Sequence, residues 1–200
     1  MKTKVCIPFF MAITVMAACG DGNTGSADKA ADSSTVNQTP ADSSQPTTSS
    51  NIDATPLDEK TGKWATEAAG GGMMEVTLGQ TAQQQAASQR VKDFGSMMVR
   101  DHTKANDELK SIASAKNFTL PAMLPEKHQK HVDDLSKKTG SDFDKAYMKM
   151  MVNDHEEDVK KFEKAASDAT DPAIKDFAAR TLPTLRAHLD SAKAIHKDLK

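Results

Sequence analysis

From about residue 56 onward, hydrophobic side chains recur at intervals of three and four, and no window alternates long enough to read as a strand. The pattern predicts an all-α domain of four long helices. The first spans about 56–86 and starts either at Thr55-Pro56, which puts proline in the first helical position, or at Thr61. The second spans about 89–117, with Ser88 as its N-cap. The third opens at "GSDFD", where Ser141 and Asp144 have the spacing of a capping box, and runs to about 168. The fourth opens at "TDPAIKDF", with Asp171 as cap and Pro172 in the first position, and runs almost to the C-terminus. Short links join the first helix to the second and the third to the fourth, so each pair predicts an antiparallel hairpin. The link over 118–140 is long, and its "LPEKHQKHVDDLSKK" predicts a short extra helix in a crossover.

Polar residues interrupt the apolar stripes at one level. The stripe of the second helix runs Phe94, Met98, His102, Ala105, and that of the third runs Tyr147, Met151, His155, Val159. Both histidines end a near-repeat, "MMVRDH" at 97–102 and "MMVNDH" at 150–155. In the fourth helix His188 flanks the stripe, and in the first Glu75 lies on or beside it. All four residues fall near mid-helix, so an antiparallel bundle brings them towards one layer. Asp101 and Asp154 point about 100° away from the neighbouring histidines on an ideal helix, which suits them to orient an imidazole of another helix. The related "VKDF" at 91–94 and "IKDF" at 174–177 pair the second helix with the fourth, so the repeats do not add up to one simple duplication.

Two chemistries fit this layer. Glu75, His102, His155 and His188 can ligate a metal, a divalent or copper ion being the suitable kind. Met98 and Met151, each four residues before a histidine, offer a thioether variant suited to Cu(I). Alternatively the layer is architectural: histidines bonded to carboxylates fix helix register, and the methionines fill the core. His128 and His131 share a face of the linker helix and read as a surface pair, while Pro183 predicts a kink one turn before His188.

Composition divides the rest of the chain. Residues 20–60 are rich in Ser, Thr, Asp, Ala, Asn, Gln and Pro, with Val36, Ile52 and Leu57 the only large aliphatic residues, and read as a disordered tether. As a flexible coil such a tether reaches about 35–40 Å. The N-terminus "MKTKVCIPFFMAITVMAACG" has the charged and apolar regions of a secretory signal over 1–18 and resembles a bacterial lipoprotein signal with Cys19 as the lipidated residue. Met16 departs from the usual Leu, and Gly20 in place of Asp favours an outer-membrane anchor facing the periplasm. The membrane, reached through this lipid anchor, is thus one expected partner. With Cys6 removed and Cys19 lipidated, no thiol is left for a disulfide or a nucleophile. The mature chain carries 24 basic against 28 acidic side chains, a net charge of −4, which argues against nucleic acid as a partner. No feature names a protein partner.

The stretches "KWATEAAGGGMMEVTLGQTA", "VKDFGSMMVRDHTKANDELKSIA", "FDKAYMKMMVNDHEEDVKKFEKAA" and "IKDFAARTLPTLRAHLDSAK" resemble the bacterial envelope family catalogued as domain of unknown function 4142, over about residues 60–197. The resemblance implies a ferritin-like four-helix bundle over 60–200 but supplies no catalytic residues. Di-metal ferritin-like enzymes carry Glu-x-x-His on two helices. Here Val99, Val152 and Leu185 stand three residues before His102, His155 and His188, so a di-iron oxidase is disfavoured. The sequence therefore predicts a non-enzymatic binding or structural role in the envelope, with a metal-binding bundle as the alternative.

Overall fold

The computed structural model describes residues 55–199. Cys19, the signal segment and most of the tether lie outside them. Five helices make up the domain, in the order α1 (Glu59–Gln85), α2 (Gln89–Ala115), α3 (Glu126–Ser136), α4 (Gly140–Asp168) and α5 (Pro172–Asp198). Among the described residues no helix is long and apolar enough to cross a membrane.

Cross-helix contacts define the topology. Asp58, before α1, accepts a hydrogen bond from Thr170, after α4, while Ala86 at the far end of α1 pairs with Gly140 at the start of α4. Hence α1 and α4 are antiparallel. Arg90 pairs with Asp198, and Glu108 with Arg180 at 2.6 Å, so α2 and α5 are antiparallel as well. With hairpins α1–α2 and α4–α5, the bundle is up-down-down-up. Because α2 and α4 run the same way, the chain must travel the length of the bundle between them, and that crossover contains α3. This is the connectivity class of ferritin-like bundles.

Helix ends show how local sequence was used. α1 starts neither at Thr55-Pro56 nor at Thr61: Asp58 caps it, accepting from the Thr61 backbone N–H at 3.0 Å. Asp171 caps α5 as its sequence predicts, accepting from the Ile174 N–H at 3.0 Å. Ser141 and Asp144 do not form a capping box, since α4 already begins at Gly140. Instead the buried Asp144 carboxylate accepts from the backbone of Ala87 at 3.1 Å and of Ser88 at 2.8 Å. It thereby satisfies donors at the start of α2, where Ser88 makes no side-chain cap. A local motif has been replaced by a tertiary one. α2 ends with Asn117 in the left-handed region (φ 53°), and the Phe118 N–H donates back to the Ala113 carbonyl at 2.8 Å. α5 continues as one helix through Pro183, an exposed position where water can serve the Ala179 carbonyl that proline leaves without its usual donor.

The core is divided in two. One apolar cluster contains Leu78, Phe94, Met98, Tyr147 and Met151; the other contains Leu109, Phe162, Ile174, Phe177 and Leu185. α1 and α2 approach so closely beside the first cluster that a Cβ on Gly79 would meet the Gly95 carbonyl oxygen at 2.6 Å. Between the clusters, at mid-helix, lies the polar layer.

A buried three-histidine layer

Glu75, His102, His155 and His188 are all buried, at 6% exposure or less. α1, α2, α4 and α5 each contribute one of them. One ring nitrogen from each histidine lies within 4.8 Å of those of the other two. Ring centroids are 5.3–5.7 Å apart, so the imidazoles form a nearly equilateral group.

Their hydrogen-bond partners assign the protons. His155 Nδ1 lies 3.0 Å from the Met151 carbonyl oxygen. A carbonyl only accepts, so this nitrogen carries the hydrogen and Nε2 keeps a lone pair. His188 Nε2 donates to Asp101 Oδ2 at 3.0 Å. Asp101 is ionised, because hydrogen bonding from Arg100 (2.8 and 2.9 Å) holds its carboxyl below the usual carboxylate range. His188 Nδ1 therefore keeps the lone pair. These two unprotonated nitrogens, His155 Nε2 and His188 Nδ1, face each other at 3.3 Å. His102 Nδ1 lies 2.9 Å from Glu75 Oε2, which draws its hydrogen to that side. His102 Nε2 is left buried without a hydrogen-bond partner.

Burial pushes all three imidazoles down to about 4, so they are neutral near pH 7. The same burial pushes the Glu75 carboxyl up to about 7, against the lowering influence of His155. Glu75 Oε1 lies 3.4 Å from His155 Nδ1 but receives no hydrogen bond, since that N–H is directed at Met151.

The sequence-predicted residues thus take distinct places. His102, His155 and His188 converge. Glu75 sits against the Nδ1 edges of His102 and His155, at 2.9 and 3.4 Å. Asp101 orients the His188 ring from another helix, as its angular offset predicts. Asp154 bonds no histidine; its Oδ2 is buried without a partner in the wall of a cleft beside α3. On α4 the same offset points towards α3, because α5 lies elsewhere around the helix. His128 and His131 line that cleft too. Sequence reasoning missed Asp158, one helical turn after His155, which lies beside Glu75 and His102. Its spacing from Asp154, four residues, was the available signal.

Fold and layer together define a class: an antiparallel four-helix bundle with a long crossover and a buried tri-histidine centre. The chain belongs to the family described as "Domain of unknown function (DUF4142)", which matches residues 46–195. Among solved structures it is similar to a DUF305 fragment from Deinococcus radiodurans, at a TM-score of 0.63 and 10% sequence identity, over 72% of this chain and 99% of that one. At that identity the likeness concerns the fold. No curated protein matches the chain.

Proposed function

We propose that this protein binds a single zinc or copper ion through His102, His155 and His188, in a non-enzymatic envelope role. One observation carries the reading: two ring nitrogens, both left unprotonated by their outer partners, face each other at 3.3 Å. Lone pairs at that distance repel unless a cation lies between them. Two nitrogens bound to one zinc at about 2.0–2.1 Å and near the tetrahedral angle are about 3.3 Å apart. The third lone pair, on His102, is buried and otherwise without a use.

The outer partners fit as well. Ligating imidazoles usually give their other N–H to a carboxylate or a backbone carbonyl, which fixes the tautomer and raises basicity. Here Met151 and Asp101 do this for His155 and His188, and the Glu75 carboxyl lies 2.9 Å from His102 Nδ1. Three neutral nitrogens leave a dication's charge uncompensated; the Asp101 carboxylate supplies one negative charge beside it, and a bound cation would favour the ionised form of Glu75 as a second. Imidazole donors suit zinc, copper and iron, and the absence of Glu-x-x-His removes the carboxylate set of di-iron bundles. The N-terminal signal and Cys19 support placement as an outer-membrane lipoprotein facing the periplasm, with the domain on a tether.

The test is metal content and melting of the full-length protein with added Zn²⁺ or Cu⁺, beside a His102→Ala/His155→Ala double variant. One ion per chain and a raised Tm, both lost in the variant, are expected. No ion and no shift, in a protein that the substitutions only destabilise, would make the layer architectural.

A further inference from the structure

Resting on the tri-histidine reading, we propose that the cleft between α1, α3 and α4 is the path by which a hydrated divalent cation reaches the centre, with Glu75 and Asp158 as the gate. The cleft has a volume of about 530 Å³. A second, narrower pocket of about 20 Å³ lies against His102, Leu109 and Phe177. That is room for about one water molecule or ion. Glu75 and Asp158 line both spaces, and no other residue does. A cation moving from the cleft to His102 by this way passes between two carboxylates.

The rim carries exposed charges of both signs, Lys127, Lys149 and Lys161 beside Glu67 and Glu157, whereas deeper in the cleft Asp154 and Asp158 are half-buried and Glu75 forms the floor. Two of these acids offer oxygens that no protein group satisfies: Glu75 Oε1, in a side chain 1% exposed, and Asp154 Oδ2. Carboxylate oxygens replace the water ligands of a hard, hydrated cation, and histidine nitrogens then take over from them. On the α2–α5 side, Asp101 is approached through a groove in which Lys104 and Arg180 are balanced by Asp101 and Glu108.

The glycine run at 70–72 supports the assignment. A Cβ on Gly70 would meet Pro125 at 3.0 Å and His128 at 3.1 Å, and one on Gly72 would meet the Asn106 side chain at 2.2 Å, so both positions are closely packed. A Cβ on Gly71 would meet nothing within 4 Å. Packing therefore gives no reason for the helix to tolerate glycine there. Gly71 lines the cleft one turn before Glu75, and side chains on a helix lean back over the preceding turn. A bare position at 71 keeps Glu75 reachable from the cleft.

Stopped-flow uptake of Zn²⁺ by the full-length protein, with release measured into a chelator, tests this. Gly71→Leu, which extends into open space, is expected to slow association and dissociation together on the order of tenfold, leaving Kd unchanged. Asp158→Asn, which removes one of the two gate carboxyl groups, is expected to slow association. Circular dichroism and Tm confirm that each variant folds. Unchanged association in either folded variant overturns the route while leaving the centre intact. Failure of the wild-type protein to take up one Zn²⁺ overturns both.

Discussion

His155 Nε2 and His188 Nδ1 lie 3.3 Å apart in the middle of the bundle, each with its other ring nitrogen already committed to an acceptor. Two side chains 33 positions apart are thereby held in the tautomers that place lone pair against lone pair. The Met151 carbonyl and the Asp101 carboxylate produce that arrangement, so its chemistry depends on groups that do not themselves face the centre.

Asp101 is the more accessible of these two to substitution. Asp101→Ala removes the acceptor of His188 Nε2–H and frees the ring to turn or change tautomer. Loss of such an outer partner commonly weakens metal affinity about 10–100-fold. A competition titration with a zinc chelator is expected to show a loss of that size with the one-ion stoichiometry retained. Unchanged affinity would show that packing alone orients His188.

The ion pair of Lys116 and Asp171, at 2.7 Å, ties the end of α2 to the start of α5 and is almost wholly buried, at 2% and 8% exposure. Asp171→Ala leaves the ammonium without its partner and removes the α5 cap. Breaking a buried pair from one side costs about 3–5 kcal/mol. Lys116→Met leaves the carboxylate its Ile174 cap bond and is expected to cost less than Asp171→Ala. Urea unfolding of both variants and of the double variant checks the order, and the double variant is expected to be more stable than Asp171→Ala alone.

Gly71 and Gly79 sit eight residues apart in α1 and should respond oppositely to alanine. At Gly71 the added methyl meets open space, so only propensity acts, and Gly71→Ala is expected to stabilise by about 0.5–1 kcal/mol. At Gly79 the methyl meets the Gly95 carbonyl and the helices must separate, so Gly79→Ala is expected to destabilise. Denaturant midpoints of the two variants provide the comparison.

Asp58 links stability to acid pH. Hydrogen bonds from the Thr170 hydroxyl, then from the Thr61 hydroxyl and backbone, hold its carboxyl far below the ordinary value of 3.8. A folded-state pKa below the unfolded one means that the unfolded chain binds the proton first. The contribution of Asp58 is therefore complete above about pH 4 and declines as pH falls further. Asp58→Ala is expected to lower stability at neutral pH and to reduce the steepness of acid destabilisation below pH 4. Urea midpoints of both proteins between pH 2 and 7 measure this.

The sequence by itself determined the helices, because a period of 3.6 residues is a local property of apolar spacing, and with it the all-α class, both hairpins and the extra helix in the crossover. It also placed Glu75, His102, His155 and His188 at one level, since mid-helix positions coincide in an antiparallel bundle whatever the packing details. The two MMV-x-Asp-His stretches occupy corresponding positions on α2 and α4, which run the same way: each sends a methionine, Met98 or Met151, into one apolar cluster and a histidine into the layer above it. Only the tertiary structure decided what each polar group does. Asp144 reads as a local cap and instead serves the start of α2, and Asp101 and Asp154, each set between an MMV run and a histidine, part company because α5 faces one and α3 the other. Glu75 reads as a ligand and lies at the imidazole edges that carry the hydrogens. Such roles depend on rotations of a few tens of degrees about each helix axis and on which neighbour supplies the nearest donor, and neither quantity is encoded in spacing along one chain segment.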